Sequence, residues 1–326
     1  MGSNGVAVVG RAGATLLTDF RYETSAKEQV DPGCRILMRK LDLLAGVPEV
    51  AVELAQGGRI GLESAHLSMA QGQKLTQLLT DAGAESTGVT GVVEGLRVVK
   101  DAGEVERIRE SARITDAALS RVVATGLVGR TEREVAWDIR VAMHELGAEG
   151  PSFETIVAAG ANGAKPHAVP GDRVIPEGTL VVVDMGSIHD GYCSDMTRTF
   201  ATGELPAELQ RAYEVCERAQ LAALAATKPG MGHGALDAVA RDIIDEAGFG
   251  PAFGHSLGHG VGLEIHEAPR LAREAEGELR PGMIVTIEPG IYLEGLGGVR
   301  IEDLVVVTDD GCEVLSHFPK DPRAAG

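Results

Sequence analysis

The sequence predicts an α/β (α+β) chain of two domains, the second carrying an internal repeat. Three observations lead there. A chain of 326 residues with 44% hydrophobic side chains and mean hydropathy near zero has material for two domains and a large core. Its texture changes near Arg97, from short apolar runs mixed with helical stretches to long amphipathic helices that lead back into strands. Finally, two segments of the second region match. PEGTLVVVDMG places Gly178, Asp184 and Gly186 at the same relative offsets as Gly282, Glu288 and Gly290 in RPGMIVTIEPG.

The elements follow in order. In residues 1–97, the runs Val6 to Val9, Ala14 to Leu17, Ile36 to Met38 and Val50 to Leu54 are strand-sized, and Ala65 to Leu79 reads as helix. In residues 98–326, Val105, Ile108, Ala112, Thr115, Leu119 and Val122 mark one face of a long helix. Thr131 with Glu134 has the spacing of a capping box and opens a second helix through Leu146. Two more helices are expected at about Ala207 to Ala226 and Gly234 to Ala247. A duplicated helix-helix-hairpin unit would put Asp184 and Glu288 at related positions, facing each other across a pseudo-twofold axis.

Composition narrows the function classes. A formal charge of −18 and a pI near 4.9, with no basic run, disfavour nucleic acid and anionic membrane as partners. Cys34, Cys193, Cys216 and Cys312 are scattered without CxxC spacing, which suits reduced thiols in a cytoplasmic protein. With no basic-then-apolar leader and no apolar run of about 18 residues, neither export nor membrane spanning is expected.

The stretch GHSLGHGVGLEIHEAPR, Gly254 to Arg270, concentrates His255, His259 and His266. The spacing of His255 and His259 suits one face of a zinc-binding helix, but Gly254, Gly258, Gly260 and Gly262 argue against a helix, each costing about 1 kcal/mol relative to alanine. An extended, closely approached backbone fits better. His266 then has the opposite parity, so the chain must bend for all three to face one cavity. Taken singly, each is better explained as an ordinary surface or partly buried histidine.

Acids change that balance. Asp184 ends the apolar run Leu180 to Val183, and Glu288 follows Ile284 to Ile287; each repeat carries a second acid downstream, Asp195 in YCSDMTRTF and Glu302 in GVRIEDLVVV. A single strand-end carboxylate reaches solvent as readily as it serves a site. Four on repeated hairpins, beside a histidine cluster, form a hard, oxygen-rich donor set suited to two divalent cations more than to a closed structural zinc site. Such cations would hold and acidify a water.

The segments VVVDMG, SDMTRTF, GHSLGHGVGLEIHE, TIEPGIY and GVRIED, with Pro166 and His167, occur in order across residues 100 to 318. The second region thereby resembles the pita-bread fold of the aminopeptidase P and prolidase family, related to methionine aminopeptidases. The resemblance implies that Asp184, Asp195, His259, Glu288 and Glu302 are the metal ligands, with Glu288 also the proton acceptor. It places His167, His255 and His266 along the substrate cleft as catalytic and substrate-handling groups, and Arg300 in support. Arg270, four residues beyond His266, has two readings, a solvated loop arginine or a group at the mouth of the cleft. The N-terminal region resembles the creatinase-like domain of prolidases but departs at MGSNG, so an opening strand-helix-strand portion is expected to be missing.

The activity implied is hydrolysis of the Xaa-Pro bond at the N-terminus of short peptides, by an aminopeptidase or a dipeptidase. Two divalent ions are implied, manganese first, with cobalt or zinc as alternatives, in a cytoplasmic homodimer acting on proline-containing peptides. The alternatives are an inactive peptide-binding relative, a metal-free hydrolase of the creatinase type, and another aminopeptidase of the same fold. Intact ligand positions argue against the first two. The extra N-terminal domain and His255 disfavour a methionine aminopeptidase.

Overall fold

The computed structural model of the protein describes residues 4–40 and 42–323. The chain forms two compact units, Met1–Val92 and Val93–Gly326.

In the first unit, β1 (Gly5–Gly10) and β2 (Gly13–Thr18) form an antiparallel hairpin. After α1 (Glu23–Gln29), β3 (Cys34–Met38) pairs in parallel with β2. Then come α2 (Leu43–Ala55), β4 (Ile60–Glu63), α3 (Met69–Asp81) and β5 (Ser86–Val89), with β4 and β5 paired in parallel. The run Val50 to Leu54, expected among the strand-sized segments, lies inside α2. Val47, Val50, Ala51 and Leu54 recur at helical spacing and are buried together with Leu17, Leu62, Leu75 and Leu79. A five-residue window was too short to separate a buried helix turn from a strand.

A short helix, α4 (Val92–Arg97), crosses the boundary between the units. The second unit opens with α5 (Ala102–Val123) and α6 (Glu132–Glu145), both started by reciprocal capping boxes, Asp101 with Glu104 and Thr131 with Glu134. The strands β6 (Gly150–Pro151), β7 (Ile156–Ala159), β8 (Leu180–Met185), β9 (Ser187–His189), β10 (Tyr192–Cys193) and β11 (Met196–Ala201) follow. Central β8 pairs antiparallel with both β7 and β11. All six of its residues are buried, which explains the unbroken apolar run.

A second cycle repeats this plan. The helices α7 (Ala207–Ala226) and α8 (His233–Glu246) lead to β12 (Gly258–Gly260), β13 (Glu267–Leu271), β14 (Ile284–Ile287), β15 (Gly290–Leu293), β16 (Gly297–Arg300), β17 (Asp303–Val307) and β18 (Cys312–Val314). The order β13-β12-β14-β17-β18 makes one five-stranded sheet, and β15 pairs with β16. Each helix pair has its own core. Leu119, Val135, Ile139 and Met143 pack with Val181, Val183 and Phe200, while Leu209, Leu236, Ala240 and Ile244 pack with Val285, Ile287 and Val305. At about 33 Å, α5 reaches beyond its own half: its first turns bury Ile108 and Ala112 with Ile284 and Leu304.

Candidate active site

One cavity of about 680 Å³ in the second unit is lined by His167, Asp184, Asp195, His255, His259, His266, Arg270, Glu288, Arg300 and Glu302. All ten residues singled out in the sequence therefore meet at one place. They arrive on different elements: Asp184 within β8, Asp195 just before β11, His259 at the centre of β12, Glu288 just past β14, and Glu302 between β16 and β17. His167 sits exposed on the loop between β7 and β8, His255 precedes β12, His266 and Arg270 flank or lie on β13, and Arg300 ends β16.

The glycines around the histidines have a packing cause. A Cβ on Gly258 would lie 2.0 Å from the Thr286 carbonyl oxygen, and one on Gly260 would lie 2.2 Å from that of Ala268. Only glycine lets β12 slide between its two neighbours, which puts His259 beside the acids. His259 Nδ1–H donates to the Gly260 carbonyl at 3.0 Å. That leaves Nε2 free as a donor to a metal, 3.4 Å from Glu288 Oε1 and 3.6 Å from Asp195 Oδ2. The turn after β12 brings His266 back, its ring centroid 4.4 Å from that of His259.

Three of the acids have one oxygen tied down by the protein. Arg300 Nη2 donates to Asp184 Oδ2 at 2.6 Å, Thr286 Oγ1 to Glu288 Oε1 at 3.0 Å, and Thr197 Oγ1 to Glu302 Oε2 at 2.7 Å. The other Asp184 oxygen, Oδ1, is buried without a hydrogen-bond partner among the described residues. Asp195, His259 and Glu302 each offer a ligand atom within 4.8 Å of the others.

Burial of the acids, reinforced by their mutual repulsion, pushes the Asp195 and Glu302 carboxyls well above the usual carboxylate range. Burial, with Asp184 nearby, pushes Glu288 up to about 7 although Arg300 opposes it. Like charges this close, with one arginine among four acids, call for further positive charge. An orphaned buried oxygen, a free imidazole nitrogen and an oxygen-rich set are the donors that hard divalent cations take, unlike the thiolates of a zinc-cysteine site. Burial also lowers His255 to about 4 and lowers His259 and His266 below the ordinary histidine value, so all three are neutral near pH 7.

Several supports were not singled out from the sequence. Tyr292 OH accepts from Arg300 Nη1 at 2.7 Å and meets His255 Nε2 at 2.9 Å. It lies in TIEPGIY, where an aromatic after a strand reads as core. Thr286 joins His259 to Glu288, accepting the His259 amide at 3.0 Å while bonding the carboxylate. Glu267, next to His266, is held by Arg97 and by Lys100, the latter at 3.0 Å. The two partners of Glu267 lie 170 and 167 positions away in the chain, so no local pattern announces them.

A buried cluster of acids and a free imidazole, ringed by neutral histidines in an open cleft, defines a metallohydrolase. The chain belongs to metallopeptidase family M24, which matches residues 106–309, and residues 1–99 match the creatinase/prolidase N-terminal domain. It is 46% identical over 234 residues to the Xaa-Pro dipeptidase of Pyrococcus furiosus, covering 72% of this chain and 67% of that one. Among solved structures it resembles an Xaa-Pro dipeptidase from Bacillus anthracis, at 39% identity and a TM-score of 0.94 over 99% of this chain and 90% of that one. It also resembles an X-Pro aminopeptidase from Thermotoga maritima, at 36% identity and a TM-score of 0.89 over 98% and 90% of the two chains. The fold is the pita-bread fold preceded by a creatinase-type domain, as the motifs implied.

Proposed function

We propose that this protein is a metal-dependent exopeptidase that hydrolyses the Xaa-Pro bond at the N-terminus of short peptides. The observation that carries the reading is the convergence of Asp184, Asp195, His259, Glu288 and Glu302 on one cleft, in a chain similar to Xaa-Pro dipeptidases. These five residues would hold two divalent cations, manganese first, with cobalt or zinc as alternatives. When bound, the cations supply an activated water and offset negative charge on the reacting carbonyl oxygen. Glu288, whose Oε1 lies 3.4 Å from His259 Nε2, accepts the proton of the attacking water. His266 and His167, which line the cavity, would assist at the scissile bond and the departing proline nitrogen, and His255, bonded to Tyr292 OH, would shape the cleft. Arg300 holds Asp184 from behind. An inactive peptide-binding role is not favoured, because the donor set is complete.

The same reading includes a cytoplasmic homodimer divided near residue 97. The location rests on four free cysteines, and the net charge of −18 speaks against nucleic acid as a partner. Among the described residues, no helix is long and apolar enough to cross a membrane.

Arg270 decides between dipeptides and longer substrates. It is exposed on β13, directly across from His259 on β12, so both side chains share a face of the sheet. A dipeptide presents its proline carboxylate beside the scissile bond, where a planar guanidinium can grip it with two parallel hydrogen bonds. A tripeptide has an amide there. Removing a charge-assisted contact of about 1.5 to 3 kcal/mol should cost about 10- to 150-fold on the dipeptide and much less on the tripeptide. The measurement is kcat/KM of Arg270→Ala on an Xaa-Pro dipeptide and on the same peptide extended by one residue. Equal behaviour on both removes Arg270 from the site and favours an aminopeptidase. Failure of the wild type, supplied with manganese, to cleave any Xaa-Pro peptide overturns the proposed function.

A further inference from the structure

The apolar face of α8 carries two charged residues. Asp237 and Arg241 stand one helical turn apart among Leu236, Ala240 and Ile244, with side chains 0% and 9% exposed. They form a bidentate pair, Nε to Oδ2 at 2.7 Å and Nη2 to Oδ1 at 2.8 Å. A buried ion pair is a weak stabiliser compared with packed hydrophobic groups of similar volume, so its other bonds deserve an account.

Those bonds all go to one segment, Phe253-Gly254-His255-Ser256-Leu257, which runs outside any helix or strand into β12. Arg241 donates through Nη1 to the Phe253 carbonyl at 2.9 Å and through Nη2 to the His255 carbonyl at 2.8 Å. Asp237 Oδ1 accepts the Leu257 amide at 3.0 Å. The groups served sit on alternate residues, as they would against the edge of a neighbouring strand. Two side chains here replace a strand partner. The guanidinium also stacks on the Phe253 ring, 4.0 Å from its centroid, and that ring meets the His255 imidazole edge-on at 5.1 Å.

The segment connects to the reaction centre at two points. Leu257 O accepts the Glu288 amide at 2.8 Å. The His255 imidazole meets Tyr292 OH, which Arg300 holds in turn while it bonds Asp184. A displacement of a few tenths of an ångström in 253–257 thus moves His255 relative to the cleft without touching substrate.

We propose that Asp237 and Arg241 are positioning residues of the active site, acting through the 253–257 backbone to hold His255 in place; the catalytic part of this rests on the function proposed above. Arg241→Lys keeps the charge, but one ammonium cannot serve both carbonyls and both carboxylate oxygens. Two readouts test it on the full-length, manganese-loaded protein. Amide hydrogen exchange across 253–257 should rise at least tenfold in Arg241→Lys, with manganese content unchanged. In a double-mutant cycle on an Xaa-Pro dipeptide, Arg241→Lys should lower kcat about 10- to 100-fold alone, yet less than threefold in a His255→Ala background.

Additive losses in the cycle would reduce the pair to a fold support and overturn the positioning role, as would unchanged exchange. Should Arg241→Lys fail to fold, Phe253→Leu removes the ring between guanidinium and imidazole and must show the same dependence on His255. Absence of any Xaa-Pro cleavage by the wild type would sink the functional reading, while the exchange measurement still judges the clamp.

Discussion

The half of the catalytic unit that carries Asp184 and the half that carries Glu288 share a plan but divide the chemistry. The first brings acids, Asp184 and Asp195, and a single histidine at the rim. The second brings two acids together with His255, His259, His266 and Arg300. Even the matched acids differ locally. Asp184 lies inside β8, paired with Ile156 on one side and Thr197 on the other, whereas Glu288 stands one residue beyond β14. Equal sequence offsets therefore put a carboxylate at the same end of two hairpins while setting one within a strand and the other in the gap between β14 and β15.

The halves are also cross-braced. Arg300, from the second half, bonds Asp184 of the first. Arg198, from the first, donates to the Glu302 carbonyl and, at 2.9 Å, to Asp303 of the second. Each arginine steadies the backbone or side chain of an acid in the opposite half. The repeat thus acts as a mutual support, and losing one acid is expected to disable the whole cluster.

That expectation sets the largest effect. Chelation should abolish hydrolysis and manganese restore it in the wild type, whereas Asp195→Asn should lose about 1000-fold or more in kcat/KM that added manganese does not recover. Full activity in the chelated protein would end the metal-dependent reading. Next comes the division among the histidines of the second half. His259→Ala should lower bound manganese, while His266→Ala should keep the metal and lose about 100-fold in turnover. Equal metal loss in the two variants would show that their roles were wrongly separated.

The acids also couple stability to pH. Asp195, Glu302 and Glu288 have folded pKa values above those of free carboxylates, with Glu288 near 7. In metal-free protein their protonated forms favour the fold at low pH, and that contribution is lost as pH rises through the folded pKa of each, which for Glu288 means from about 4 through 7. Cations compete with those protons, so the gain in Tm from one fixed manganese concentration should grow between pH 5 and pH 8. At 100 times Kd and pH 8 it should reach roughly 5 to 10 °C. A gain independent of pH would place the ions away from these acids.

Much of this site was legible because its donors sit in short, ordered motifs at the ends of apolar runs. The capping box of α6 was equally local, as were the helical faces. What escaped was non-local or ambiguous. Glu267 depends on Arg97 and Lys100 far back in the chain, and Thr286 is an ordinary strand residue until β12 packs against it. Asp237 and Arg241 did leave a trace, two charges on a helix face otherwise filled by Leu236, Ala240 and Ile244. Such a pair signals burial with a partner, but nothing in the spacing says that the partner is the backbone before His259.

The smallest effect tests whether the first half positions its one histidine as the second half does. Glu132, the first residue of α6, is fully buried and closes the neck of the loop that carries His167. Its carboxylate accepts the Ala159 amide at 2.9 Å, the Asn162 side-chain amide at 3.0 Å and the Gly171 amide at 3.1 Å. Arg173, 3.7 Å away, is half exposed, so the clamp works through two backbone amides and the Asn162 side chain and has no counterpart to the closed Asp237–Arg241 pair. In Glu132→Gln one acceptor becomes an NH2 facing another N–H, which should cost about 1 to 3 kcal/mol of stability. The loop would loosen only at the rim, because Arg300 still donates to the Pro166 carbonyl at 3.2 Å. KM for an Xaa-Pro dipeptide should therefore rise less than about 10-fold, about 1.4 kcal/mol, while kcat and manganese content hold. A fall in kcat as deep as that of Arg241→Lys would mean that His167 is held as strictly as His255, and the contrast between the halves would be lost.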